Sequence, residues 1–246
     1  MFNSAEMKYQ NKLLALLSNT DWYEWNQRLQ PIQLAIGQVI YESGIGIPYI
    51  IFPTTAIVSL LHILEDGGCT EIAMVGRDGL IGVSAFMGGL STPSRGVVQQ
   101  AGQGYRISSQ FVNDEFHRSI DIMELMLRYT QTLITQMSQL AVCNRHHSVE
   151  QQLCRWLLLN LELVDAPELT VTQEQISHLL GVRREGITRA AGKLQAAGLI
   201  RYNRGHLTSL NHEGIRAHAC ECFDVVKNEY ARLLPENLQR GTHAHS

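Results

Sequence analysis

The sequence predicts an α+β protein in three parts: an N-terminal β-sandwich or small barrel, a long helix, and a C-terminal winged helix-turn-helix. Three observations lead to this prediction. Short strand-like runs separated by glycine turns fill residues 31–107, apolar residues follow a helical spacing between 111 and 144, and a glycine separates two short amphipathic helices after residue 172. We place the domains at 1–110, 111–144 and 145–234, followed by a flexible tail at 235–246.

The composition predicts a folded, cytoplasmic protein. The chain has 246 residues, of which 45% are hydrophobic, and a net charge of −3. No apolar run approaches the roughly 18 residues that a membrane helix needs, and we expect no secretion signal. The five cysteines have no disulfide-framework spacing. Residues 211–234 are predicted to form one helix, on which Cys220 and Cys222 would point about 200° apart. We therefore expect packed thiols, with neither a metal ion nor an iron–sulfur cluster.

The elements of the first part are predicted from spacing. Residues 1–30 are expected to be helical, with leucines at 13, 14, 16 and 17 followed by a pair of tryptophans at 22 and 25. Strand-like runs follow at 50–52, 56–64 and 71–75, with glycine-rich turns between them. Short strands at this spacing are typical of β-sandwiches and small barrels.

The long helix contains a heptad pattern. Six residues alternate in spacing between three and four, which favours pairing with the same helix of a second copy: Met123, Met126, Thr130, Leu133, Met137 and Leu140. Leu127, Ile134 and Ala141 lie on one flank, where we expect them to pack on the helix's own barrel. An ordinary buried helix is the alternative. Residues 147–163 are predicted to form a further amphipathic helix.

Residues 172–210 predict the winged helix-turn-helix. Thr172 and Gln175 fit a capping box, and Gly181 ends the first helix where a left-handed backbone costs little. Val182 is expected to be buried between the two helices. The inner face of the second helix is predicted to be Ile187, Ala190, Ala191 and Leu194, and residues 199–210 are predicted to form a hairpin around a turn at 203–205.

The outward face of the second helix has side chains that can read bases. Arg can donate to guanine and Glu can accept from cytosine in the major groove. Residues 170–210 have a net charge of +4, whereas the rest of the chain has −7. We therefore predict DNA binding, although a solvated charged face is the alternative. The predicted contacts are Thr172, Gln173, Arg183, Arg184, Glu185, Thr188, Arg189, Lys193 and Arg204, with Arg184, Thr188 and Lys193 on one side of the helix.

The order of the three parts, together with the motif Leu180-Gly-Val-Arg-Arg-Glu-Gly-Ile-Thr-Arg189, resembles the Crp/Fnr family of bacterial transcription regulators over nearly the whole chain. The resemblance implies a double-stranded β-helix (jelly-roll) domain of the cyclic-nucleotide-binding type and base contacts by Arg184, Glu185 and Arg189. It also implies a homodimer on a near-palindromic site, with recognition helices about 34–36 Å apart. The implied partners are double-stranded DNA, a second copy and RNA polymerase, with no membrane.

The predicted effector pocket departs from the family pattern. Members that bind cyclic nucleotides have a glycine–glutamate pair and a later arginine, and the matching residues here are Gly82, Val83, Ser84 and Arg95. Valine cannot accept a hydrogen bond from a ribose hydroxyl, so cyclic AMP is not the expected effector. An anion at Arg95, or no effector, remains open.

The sequence leaves two alternatives to a regulator. One is a module whose main task is to sense an effector other than cyclic AMP, with secondary DNA contacts. The other is an enzyme, which the sequence does not predict because it contains no P-loop, GxSxG or HExxH motif.

Overall fold

The protein, described here by a computed structural model, is defined over residues 4–164 and 168–235. Apart from Pro235, the predicted tail lies outside the described residues. The predicted N-terminal helical region consists of three short helices, α1 (Ser4–Tyr9), α2 (Lys12–Leu16) and α3 (Asn19–Asn26). Asn11 and Ser18 start α2 and α3 because their side chains accept hydrogen bonds from the first backbone N–H groups of these helices.

Two antiparallel sheets follow and confirm the predicted β domain. Its strands are β1 (Gln30–Leu34), β2 (Val39–Tyr41), β3 (Tyr49–Pro53), β4 (Ile57–Ile63), β5 (Cys69–Val75), β6 (Arg95–Gln100) and β7 (Gly102–Ser108). One sheet has the order β1-β7-β3 and the other β2-β6-β4-β5. Three of the strands were predicted, whereas β1, β2, β6 and β7 were not, because their apolar alternation is weak.

The core of the β domain lies between the two sheets and the helices that cover them. The two sheets contribute buried side chains to this core, among them Leu34, Ile50, Phe52 and Val98. Trp25 of α3 meets the ring of Phe52 edge-on at a centroid distance of 6.1 Å. Burial of this apolar surface is the main term that stabilises the domain.

The long helix begins after a break that the sequence did not reveal. The predicted helix at 111–144 is in fact two helices, α4 (Ser109–Arg118) and α5 (Ile120–His146). Ser119 separates them because its backbone is extended and its side chain accepts a hydrogen bond from the N–H of Ile122, which starts α5. The 27 residues of α5 lead directly to the C-terminal domain.

The C-terminal domain has its own core. Its elements are α6 (Val149–Leu163), β8 (Glu168–Thr170), α7 (Gln173–Leu180), α8 (Arg184–Ala196), β9 (Ile200–Asn203), β10 (His206–Ser209), α9 (His212–His218) and α10 (Cys222–Leu233). The core contains Trp156 and Leu157 of α6 together with Ile176 and Ile187 of the helix-turn-helix. The predicted single helix at 211–234 is wrong, because Ala219 is extended and separates α9 from α10.

The two domains contact each other through α6, α7 and the sheet that contains β5. The turn after α7 lies against β5, since a Cβ added to Gly181 would meet Thr70 Oγ1 at 2.8 Å. Within residues 4–164 and 168–235, no helix is long and apolar enough to cross a membrane.

Candidate nucleic-acid interface

The start of the helix-turn-helix is as predicted. Thr172 and Gln175 form a reciprocal capping box: the Thr172 side chain accepts from the N–H of Gln175, and the Gln175 side chain accepts from the N–H of Thr172. Gly181 ends α7 with a φ of 64°, in the left-handed region that glycine adopts without strain. Val182 is only half-buried, so its predicted full burial is wrong. It packs on the edge of the domain core.

The helix α8 has a buried face and an exposed face, as its spacing predicted. Ile187, Ala190, Ala191 and Leu194 are all buried. Glu185 and Arg189 lie opposite them, and Arg184 and Thr188 form one flank of the exposed face. No ion pair among the described residues involves Arg184, Glu185 or Arg189, so their charged ends are available to a ligand.

Lys193 differs from the other predicted contacts. At 100° per residue it lies about half a turn around α8 from Arg184, so the two do not share one side of the helix. Its Nζ donates to Glu150 Oε2 at 2.9 Å, which ties α8 to the start of α6. The structure therefore gives Lys193 a partner within its own chain.

A hydrogen bond links the two helices of the motif on the exposed side. Thr188 Oγ1 lies 2.7 Å from Gln173 Oε1 and 3.1 Å from the carbonyl oxygen of Arg184. Its hydroxyl can donate to either oxygen, so Gln173 at the start of α7 is held beside α8. The predicted contacts Thr172, Gln173 and Thr188 are thus brought together at one end of the motif.

The predicted hairpin forms the wing. Two residues connect β9 to β10, and both have left-handed backbones, with a φ of 47° at Arg204 and 83° at Gly205. This is the conformation of a type I′ turn, which matches the twist of an antiparallel pair. Arg204 is exposed at the tip of the wing. The strand β8 pairs with β10 and makes a third strand that the sequence did not predict.

Among the predicted effector residues, Arg95 pairs with an acidic side chain through Nη2, whereas its Nε and the hydroxyl of Ser84 are buried without a hydrogen-bond partner in the described parts of the chain. Gly82 has a φ of 109° and precedes a single 3-10 turn at Val83–Ala85. Val83 packs against the core of the β domain. Arg95 begins β6, and its guanidinium binds the Glu42 carboxylate at 2.9 Å. An anion at Arg95 would therefore compete with Glu42.

The predicted dimer seam on α5 faces inward. Met126, Thr130, Leu133 and Leu140 are buried within the protomer, while Met123 and Met137 are half-buried. Met126, Leu133 and Met137 pack on the protomer's own core, so the predicted seam is corrected to a face that is largely buried within the protomer. Four exposed apolar residues of α5 are instead spaced by seven, Ile120, Leu127, Ile134 and Ala141, and Val142 is exposed beside the last of them. Leu127, Ile134 and Ala141, which were expected to pack on the barrel, are therefore exposed, because a heptad pattern does not say which of two apolar stripes faces the protomer's own core.

A chain of buried and half-buried polar groups connects the sheet β2-β6-β4-β5 to α6. Ser59 Oγ lies 2.5 Å from Glu71 Oε2 and 2.8 Å from Gln99 Oε1. Gln99 Nε2 donates to Asn160 Oδ1 at 3.1 Å, and Asn160 Nδ2 donates to the carbonyl oxygen of Trp156 at 2.8 Å. Sequence patterns did not predict this chain, because its members come from four separate elements.

Glu71 keeps its proton to a higher pH than an exposed carboxyl does. Burial raises the pKa of the Glu71 carboxyl to about 7, although the hydrogen bond with Ser59 and the charge of Arg155 oppose the shift. The hydroxyl of Ser59 has one proton and two neighbouring acceptors. A protonated Glu71 resolves this conflict, because it donates to Ser59 while Ser59 donates to Gln99.

Comparisons with known proteins agree with this geometry. Residues 151–218 match the model of the Crp-like helix-turn-helix domain. No curated protein has a significantly similar sequence. Among solved structures, FixK2 from Bradyrhizobium japonicum superposes with a TM-score of 0.68 at 13% identity, over 78% of this chain and 98% of that chain.

Two further structures have the same fold. A CRP-family transcriptional regulator from Thermus thermophilus has a TM-score of 0.64 at 15% identity, over 76% of this chain and 96% of its own. The c-di-GMP-responsive global regulator CLP from Xanthomonas campestris has a TM-score of 0.60 at 14% identity, over 78% of this chain and 99% of its own.

The fold and the matched domain define a class of protein, the DNA-binding transcription regulators. More narrowly, residues 151–218 are a Crp-like helix-turn-helix domain, and the chain shares its fold with solved regulators of the CRP/FNR family.

Proposed function

We propose that this protein binds a near-palindromic DNA site as a homodimer and reads its bases with Arg184, Glu185 and Arg189. The observation that carries the proposal is the outward face of α8, where these three side chains are exposed and free of ion pairs among the described residues. Arginine donates two hydrogen bonds to guanine, and glutamate accepts one from cytosine. One helix can therefore contact several neighbouring base pairs in the major groove.

Other residues of the motif are placed to contact phosphates. Arg183 precedes α8, and Arg204 lies at the tip of the wing. The two arginines therefore lie on either side of the exposed face of α8. Thr172 and Gln173 begin α7, where the backbone N–H groups of a helix favour an anion. Such contacts give affinity and register without reading sequence. Lys193 is a weaker candidate because Glu150 already neutralises it.

The homodimer is proposed to form through the exposed stripe of α5. Ile134 is 55% exposed and Leu127 is 46% exposed in the single chain, which leaves apolar surface in contact with water. Pairing α5 with its copy would bury these residues in a heptad seam together with Ile120 and Ala141. The twofold axis would then place the two recognition helices about 34–36 Å apart, one turn of DNA.

The proposal also concerns the effector, and it excludes cyclic AMP. Val83 has no acceptor for a ribose hydroxyl, and Glu42 binds Nη2 of Arg95. We propose that DNA binding does not require cyclic AMP, that the protein acts in the cytoplasm, and that RNA polymerase is a further partner.

The test is a selection of bound sequences from random DNA, performed with and without cyclic AMP. Affinity for the selected site is then measured for Arg184→Ala and Arg189→Ala, each of which we expect to lose about 1–3 kcal/mol. Arg232→Ala is the matched control, because Arg232 is an exposed arginine of α10 that pairs with Glu229. Unchanged affinity in both test variants, or selection that requires cyclic AMP, would refute the proposal.

A further inference from the structure

Four potential metal ligands meet where α5 joins the DNA-binding domain. Cys143 lies in the last turn of α5, and His147 follows at the end of that helix. Cys220 lies in the break between α9 and α10, and Cys222 is the first residue of α10. The expectation that Cys220 and Cys222 diverge assumed a continuous helix. Because Cys220 lies outside both helices, just after the extended Ala219, its thiol and that of Cys222 both turn toward the end of α5.

The distances match the edges of a tetrahedral site. Cys143 Sγ lies 3.6 Å from Cys220 Sγ, and Cys222 Sγ lies 3.4 Å from His147 Nδ1. All four ligand atoms lie within 4.8 Å of one another. A tetrahedral Zn²⁺ with ordinary bond lengths separates two sulfurs by about 3.8 Å and a sulfur from a nitrogen by about 3.6 Å. Small side-chain adjustments would therefore bring the four atoms around one ion.

The surroundings fit a closed site. The three cysteines are buried, and the side chain of His147 is only 12% exposed. The other imidazole nitrogen of His147, Nε2, lies 3.3 Å from Glu221 Oε2. A carboxylate in this position holds the ring and places the proton on Nε2, which leaves Nδ1 free to bind a metal. Gln139 Nε2 donates to Cys222 Sγ at 3.1 Å, as expected for a thiolate acceptor.

Simple packing of thiols explains less of this geometry. Packed cysteines need no imidazole nitrogen directed at a sulfur, and they need no carboxylate behind the ring. Arg155, which is buried in α6, lies near enough for its positive charge to act on Cys143. A positive charge beside three sulfurs suits the net charge of −1 that three thiolates and one Zn²⁺ would have.

We propose that Cys143, His147, Cys220 and Cys222 bind one Zn²⁺ ion in a tetrahedral site. The three thiols release their protons to solvent on binding. Four protein ligands leave no open position for water, so the ion has a structural role. It fastens the end of α5 to the start of α10, and thereby fixes how the DNA-binding domain sits on the helix that leads to it. The sequence signal is Cys-x3-His followed by Cys-x-Cys.

The first experiment measures metal in the full-length protein purified under reducing conditions. We expect one zinc per chain. Reduced, metal-free protein titrated with Co²⁺ should develop the intense visible bands of tetrahedral cobalt together with a thiolate-to-cobalt charge-transfer band, at one ion per chain. This spectrum needs no substitution, so it tests the site even where a variant does not fold.

The second experiment compares variants. Cys222→Ser and His147→Ala should no longer retain zinc through dialysis, and chelation should lower the Tm of the wild type but not of these variants. Cys69→Ser and His146→Ala are the matched controls, because Cys69 lies outside the cluster and His146 is the exposed neighbour of His147. Both controls should retain one zinc per chain.

Three results would overturn the proposal. Reduced protein that binds neither zinc nor Co²⁺ would show that the four side chains pack against one another without binding a metal ion. A protein isolated with iron and acid-labile sulfide would assign the same residues to a different metal group. A Cys143–Cys220 disulfide that forms in air, with no metal uptake after reduction, would assign them to redox chemistry.

Discussion

Glu71→Gln removes the one ionisable group from the polar chain that joins the sheet β2-β6-β4-β5 to α6. The amide of glutamine keeps the shape of a protonated carboxyl and can donate to Ser59, as we infer that neutral Glu71 does. The substitution therefore preserves the hydrogen-bond chain and changes only the ability to ionise. Its effect on stability should depend on pH.

The magnitude follows from the pKa of Glu71, which burial raises from 4.5 to about 7. Between these two values the folded state holds a proton that the unfolded state has released, so the free energy of unfolding falls as pH rises. At about 1.4 kcal/mol for each pKa unit, the full cost to the folded state above pH 7 is about 3 kcal/mol. Glu71→Gln should avoid this cost, so it should stabilise the protein by about 3 kcal/mol at pH 8 and by nearly nothing at pH 4.5.

The assay is denaturant unfolding of the wild type and the variant between pH 4.5 and 8 at one protein concentration, because dimerisation would make the apparent stability depend on concentration. The difference between the two proteins isolates Glu71 from other titrating groups. Glu65→Gln is the control, because Glu65 is exposed in the turn between β4 and β5. Parallel pH profiles for wild type and Glu71→Gln would refute a neutral Glu71.

Three other predictions concern the dimer, the turn and the wing. Ile134→Glu should weaken the affinity of the dimer at least tenfold in sedimentation experiments, whereas Leu64→Glu, at another exposed apolar residue, should not weaken it. Equal dimer affinity in the two variants would exclude the exposed stripe of α5 as the interface. Gly181→Ala should lower the free energy of unfolding by about 1–2 kcal/mol because of its positive φ and the contact with Thr70, whereas Gly192→Ala, in open space, should raise it by about 1 kcal/mol; chemical denaturation that gives the opposite order would contradict this account. Arg204→Ala should weaken binding to all DNA sequences alike and reduce the salt slope by about 1, and loss at one sequence only would contradict a phosphate contact.

The helix-turn-helix was predictable in detail because its signals are local. The capping box at Thr172, the left-handed Gly181 and the inner face from Ile187 to Leu194 each depend on residues a few positions apart. The type I′ turn at Arg204 and Gly205 is equally local. Sequence reasoning works here because the backbone conformation is determined by short-range propensities and caps.

The faces of α5 and the metal cluster were not predictable in the same way. Two apolar stripes run along α5, and only its packing against the β domain shows that Met126 and Leu133 face inward while Leu127 and Ile134 face outward. The cluster joins residues about 77 positions apart, from Cys143 to Cys220. It also depends on a helix break after His218, which no glycine or proline marks.

The most direct test of the central claim is a hydroxyl-radical footprint of the protein on its selected DNA site. Two recognition helices related by a twofold axis should protect two dyad-related blocks on one face of the duplex, with centres about 34–36 Å apart. The same footprint with Ile134→Glu should need a higher protein concentration to reach equal protection. A single protected block, or protection at random positions along the duplex, would contradict a symmetric dimer that reads DNA through α8.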